Sequence, residues 1–173
     1  MRRIAWIFVL ALVMGLVPAM ADSWTWTFTD AWGLAASGTL SGSSIGGGAF
    51  NITSGAIVEN EYGGAGNILV NPSPGNPTTS PSGYFAYDNL LSPQANPLLD
   101  SSGLLFVGSF AGGAGTEVNI WGTGTDAYIK YLNNGANDAG TFAIVATPDG
   151  GTTLSLLGLA IVGLAGLRRK LSL

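Results

Sequence analysis

The 173-residue chain contains no cysteine and no histidine. The first absence rules out disulfides, thiolate nucleophiles and cysteine-based zinc sites. The second removes the commonest metal ligand, the usual general base and every histidine relay to a serine or cysteine. Charge is scarce as well, at 9% of residues, and is unevenly placed. Between Asp22 and Asp149 stand ten acids and a single base, Lys130, a net charge of −9. A segment this acidic repels phosphate backbones and anionic headgroups, so no nucleic-acid partner is expected. Paired carboxylates are the one catalytic chemistry the composition leaves open, with Asp88, Asp100, Glu117 and Asp126 as candidates for glycan cleavage. Against that, Asp88-Asn89 and Asp100-Ser101-Ser102-Gly103 are ordinary turn sequences, and Glu117 falls on a polar face. The expectation is a protein that is not an enzyme. No cofactor is expected either. Asn133, Asn134, Asn137 and Asp138 offer oxygen donors for a structural calcium, but no complete calcium-binding loop is present.

The five remaining bases lie at the two ends. Arg2 and Arg3 precede an unbroken apolar run from Ile4 to Val17, and Ala19-Met20-Ala21 follows as a small-x-small cleavage site. This order predicts a signal peptide over 1–21, removed by signal peptidase to leave a mature start at Asp22. At the other end, Pro148-Asp149-Gly150-Gly151 is followed by an apolar stretch, Thr152 to Leu167, and then by Arg168, Arg169 and Lys170. No charged side chain occurs from Gly150 to Leu167. As a helix that length spans about 27 Å against a hydrocarbon core of ~30 Å, and the basic cluster can snorkel to the headgroups. The expectation is a transmembrane helix with its basic stop in the cytoplasm and residues 22–147 outside.

A proline-containing motif, one apolar helix and a basic tail, in that order, resemble the C-terminal sorting signal of the PEP-CTERM family. Pro148-Asp149-Gly150-Gly151 stands where that motif would be and is similar to its Pro-Asp variants. The resemblance covers residues 148–173. It implies recognition by an exosortase-type sorting enzyme, cleavage near the motif and delivery to the cell surface. It further implies association with extracellular polysaccharide, in a structural or adhesive role.

The exported middle reads as β structure. Trp24, Trp26 and Phe28 alternate with Thr25, Thr27 and Thr29, which places three aromatics on one face of a strand and, by expectation, in a core. Further strands are expected over Gly33–Gly42, Ala49–Thr53, Ala56–Tyr62, Asn67–Val70, Leu104–Val107, Glu117–Trp121, Ala127–Leu132 and Thr141–Ala146. Ser54-Gly55 is read as a turn, Ser41–Gly48 as a Gly/Ser-rich loop with a weak strand as the alternative, and Gly122–Asp126 as a hairpin loop. Asn71 to Gly83, with four prolines, is a long loop. Strand-turn units at this spacing, without a helical period, predict an antiparallel β-sandwich, jelly-roll-like. Within it, Trp121, Tyr128 and Tyr131 are the candidates for stacking on a glycan, which makes a carbohydrate-binding module the alternative to a structural role.

Overall fold

The computed structural model describes residues 22–59, 61, 63–124, 127–133, 135, 137–147 and 158. They form eleven strands. Eight of these make one continuous antiparallel ladder: β1 (Asp22–Asp30), β2 (Gly33–Gly46), β3 (Ala49–Glu59), β4 (Gly64–Ile68), β8 (Leu104–Phe110), β9 (Gly113–Gly124), β10 (Ala127–Leu132) and β11 (Asn137–Ala146). Each pairs with the next, and β11 pairs with β1. The sheet therefore curls until its ladder closes, and closure leaves those strands without a free edge for stray pairing.

The all-β antiparallel expectation holds, and opposed walls of the curled sheet pack across one core. The connections, however, are not those of a jelly roll. Among the eight strands of the ladder, consecutive strands are neighbours: most are joined by short turns, and β4 and β8 pair although a long insert separates them in sequence.

The aromatic stripe of β1 sets the interior. Trp24, Trp26 and Phe28 are buried, while Thr25, Thr27 and Thr29 face out. Leu40, Ile52, Ile57, Leu104, Phe106, Val118, Ile120, Tyr128 and Phe142 fill the rest of the core. An eight-stranded closure leaves an interior that side chains of this size can fill.

Two loop expectations fail for one reason. Ser41–Gly48 is not a loop up to Gly46: β2 runs through it, paired with β3. Ser54-Gly55 is not a turn but the middle of β3. A Cβ at Gly55 would lie 2.5 Å from the Thr39 carbonyl oxygen, so glycine here permits close strand approach rather than a bend. The expected loop at Gly122–Asp126 also shortens, since Gly122 and Gly124 pair with Tyr128 and Ala127.

Residues 69–103 connect β4 to β8 and fold over the outer wall. They contain β5 (Thr78–Thr79) and β6 (Ala86–Tyr87), which pair with each other, and β7 (Leu90–Leu91), which pairs with the start of β3. Asn89 fixes this insert, in the left-handed region at φ 56°. Its Nδ2 donates to the Leu69 carbonyl, its Oδ1 accepts from the Leu105 amide, its own amide donates to Gly103 and its carbonyl accepts from Ile52. The proline-rich stretch is organised in the same way by Asn71, which bonds Asn76, Asp88, Ser73 and Thr78. Under the insert, Phe85, Tyr87 and Leu105 form a second small core with Leu69 and Trp121 against it.

Among the described residues no helix is long and apolar enough to cross a membrane. The expected span over Thr152–Leu167 lies outside the described residues but for Gly158, as do Ala19, Ala21, Pro148, Asp149, Gly150, Gly151, Arg168, Arg169 and Lys170.

Candidate functional site

Covering the outer wall of β8 and β9 changes what the residues there can do. In β9, Val118 and Ile120 point into the main core, and Glu117, Asn119 and Trp121 point out beneath the insert. Glu117 is buried, and both its oxygens are held by Ser82, one by the amide and one by the hydroxyl. Between insert and wall lies an open cleft of about 340 Å³, lined by Tyr84, Phe85, Ala86, Ser101, Asn119 and Trp121. Tyr84 is 56% exposed and meets the Phe85 ring edge-on, with centroids 5.1 Å apart. Trp121 is half-buried.

Asn119 forms the polar part of the floor. Its Nδ2 donates to the Ala86 carbonyl at 3.3 Å and to the Ser102 carbonyl at 3.1 Å, which fixes the amide orientation. Its Oδ1 is buried and has no hydrogen-bond partner. An unanswered buried acceptor of this kind costs ~1–3 kcal/mol.

Of the two aromatics named from sequence whose side chains are described, the structure brings Trp121 to this cleft and not Tyr128. Tyr128 is a core residue: it is 3% exposed, its hydroxyl accepts from the Leu98 amide at 2.6 Å, and its ring packs on Phe142. The cause is a bulge at Ala127/Tyr128, which sets Tyr128 opposite Gly122 rather than in phase with Trp121. Tyr131 pairs with Asn119 and Asn137 along the ladder, and its side chain lies outside those described. Tyr84, Phe85 and Asn119 were not singled out from sequence. The adjacent aromatics after a proline-rich loop were the available signal.

The candidate acids are placed unlike a hydrolytic pair. Asp88 and Asp100 hydrogen-bond each other. Asp88 also accepts from the Leu90 amide, and Asp100 from the Ser102 and Gly103 amides, so both close turns. A glycosidase needs its carboxyls ~5–9.5 Å apart with substrate between them. Burial, then the hydrogen bond and charge of Asp100, push the Asp88 carboxyl up to about 7. The folded chain therefore keeps a proton that an ordinary aspartate, at 3.8, gives up. Stability from this group is complete below pH 3.8 and is lost as pH rises through about 7. Denaturant titrations across that window should register a loss of at most ~1.4 kcal/mol per pH unit. Asp88→Asn, whose amide can donate to Asp100 in place of the proton, should flatten most of this slope. An unchanged slope in the variant would refute the shared proton. Asp126 lies outside the described residues.

Elsewhere in the ladder, opposite Ile120, Lys130 is fully buried among carboxylates. Its Nζ lies 3.0 Å from Glu59 Oε1, 3.3 Å from Glu61 Oε2 and 3.2 Å from Asp138 Oδ2, and 5.6 Å from the Phe28 ring centroid. Burial pulls this ammonium down, but the Glu59 hydrogen bond and the charges of Glu59 and Asp138 outweigh it and hold Lys130 above the usual lysine range. Burial lifts Glu59 above the usual carboxylate range although the ammonium pulls it back. Asp30, Glu61 and Asp138 place carboxylate oxygens within 4.8 Å of one another, the arrangement best suited to a cation among the described residues. Lys130 already answers Glu61 and Asp138, and Asp30 caps the turn amides of Trp32 and Gly33. Of the donors considered for calcium, Asn133 accepts from the Glu117 amide and Asp138 faces Lys130. Asn137 bonds Gly135, and Asn134 lies outside the described residues.

Residues 148–171 match the family model of the VPDSG-CTERM motif. The chain thus carries a C-terminal sorting signal related to those of the PEP-CTERM/exosortase systems, which implies an exported protein processed by an exosortase-type enzyme. No curated protein and no solved structure matches the chain.

Proposed function

We propose that the protein is a non-enzymatic component of the bacterial cell surface or extracellular matrix. In this reading signal peptidase removes residues 1–21, and a transmembrane helix over Thr152–Leu167 holds the precursor in the membrane. An exosortase-type enzyme then acts at Pro148-Asp149-Gly150-Gly151 and releases the barrel to a structural or adhesive role among exopolysaccharide.

The match over residues 148–171 carries the proposal. The placement of the acids supports the absence of catalysis, because Asp88, Asp100 and Glu117 are all committed to turns or to the insert. The end of the barrel suits a processed tail: β11 stops at Ala146, and the Thr147 amide donates to the Ser23 carbonyl at 2.8 Å. Pro148 then removes the next backbone donor, and Gly150-Gly151 disfavour early helix.

Replacing Pro148-Asp149 by Ala-Ala should leave membrane insertion intact and trap full-length protein there. Mass spectrometry of the C-terminus decides the matter. Surface protein that retains Leu173 in the unaltered chain would make the segment a plain anchor.

A further inference from the structure

We propose that the cleft between the insert and β9 binds an uncharged pyranose unit of a polysaccharide. The proposal rests on the reading of the barrel as displayed outside the cell, and it assigns to that barrel a ligand and a site.

Three features of the cleft define the occupant. Tyr84, which is exposed, and Trp121, which is half-buried, present aromatic surface to the opening, and the ring of Phe85 beside them is buried. Such walls suit a ring with an apolar face, and aromatic side chains offer that contact at low conformational cost. In the floor both Asn119 Nδ2 hydrogens are spent on Ala86 and Ser102, while its buried Oδ1 has no partner. A hydroxyl or an acetamido N–H is the kind of donor that answers such an oxygen. A sugar ring combines an apolar C–H face with a rim of hydroxyl donors, whereas a purely apolar side chain would leave Oδ1 unanswered.

Charge supplies the third restriction. No basic residue lines the cleft, and Lys130, the only base between Asp22 and Asp149, is fully buried and already paired with carboxylates. An anionic sugar would meet a net charge of −9 with no cation to pair with. Uronic, sulfated and phosphorylated units are thereby disfavoured. The volume, about 340 Å³, lies in the range of small-molecule sites, and its openness to solvent fits a unit within a chain that continues past both ends.

Affinity electrophoresis of the full chain in a sugar-free zwitterionic detergent tests this. The gels would contain dextran, hydroxyethyl cellulose or galactomannan as neutral probes and alginate as the anionic one. Retardation by at least one neutral polymer and none by alginate is expected. Trp121→Ala should weaken the retarding interaction at least tenfold, and Trp121→Phe should restore part of it. Tyr128→Phe, which alters a core residue, should leave it unchanged. Should Trp121→Ala fail to fold by circular dichroism, Tyr84→Ala, at an exposed position, replaces it. No retardation by any neutral polymer, binding to alginate alone, or full binding by a folded Trp121→Ala or Tyr84→Ala chain would each overturn the proposal. None of these results bears on cleavage at Pro148-Asp149, which the C-terminal mass reads independently.

Discussion

Lys130→Met is expected to lower stability by ~3–5 kcal/mol, a large part of the ~5–15 kcal/mol that a domain has in total. The lysine is completely buried, and Glu59, Glu61 and Asp138 all turn a carboxylate toward it. Methionine fills similar space but leaves those charges facing one another. The Glu59 side chain is fully buried as well, with one oxygen lacking any hydrogen-bond partner, so it cannot recover solvation. Two further measurements separate this cause from a packing defect. The loss should shrink at acid pH, where Glu59 takes up a proton, because burial already raises its pKa and removal of the ammonium raises it further. A second change, Glu59→Leu in the Lys130→Met background, should restore much of the stability, since an apolar pair replaces an ion pair at little net cost. A denaturation midpoint for Lys130→Met close to that of the unaltered chain would remove the ionic cluster from any structural role.

Trp26→Ala should cost a similar ~3–5 kcal/mol. The indole is 1% exposed and lies between Phe106 and Phe142, with ring centroids 5.4 and 5.6 Å away. It also reaches across β2, where Nε1 donates to the Ala56 carbonyl of β3 at 3.3 Å. The path is open only because Gly38 lies beneath it. A Cβ at position 38 would sit 1.8 Å from the Ala56 oxygen and 2.9 Å from the indole nitrogen. Gly38→Ala should therefore destabilise by at least ~1–3 kcal/mol through overpacking, although alanine is the smallest side chain available. Equilibrium unfolding of both variants checks the pair. A Gly38→Ala chain as stable as the original would show that the three strands are not locked in this way.

How much of this was legible in the residues depends on the range of the interaction. The stripe Trp24, Trp26, Phe28 declares its buried face through alternation alone, and the tail declares its address through the order of proline, apolar run and basic stop. Glycine was ambiguous. Gly55 reads as a turn former, yet it lies inside a strand where a neighbouring carbonyl comes too close for a Cβ. Glu117 and Asn119 alternate with Val118 and Ile120 as solvent-facing residues do, and both are buried. What buries them is an insert distant in sequence, reached by contacts such as the Ser82–Glu117 bond across 35 positions, and local periodicity carries no trace of it. Tyr128 reads as a stacking residue, but a bulge at the hairpin sets it opposite Gly122 and its side chain is buried in the core.

The pairing of β1 with β11 also decides how the barrel bears a load. The chain departs at Thr147, directly after the strand that closes the ladder, and β11 is flanked by β1 on one side and β10 on the other. A pull transmitted through the tail acts along the axis of β11. The hydrogen bonds of an antiparallel pair lie across the strands, so such a pull strains both ladders in shear and the bonds must yield together rather than peel off in turn. Tension applied at that end of the chain would thus be met by two ladders loaded in shear, and resistance would be set by the rate of forced unfolding rather than by equilibrium stability.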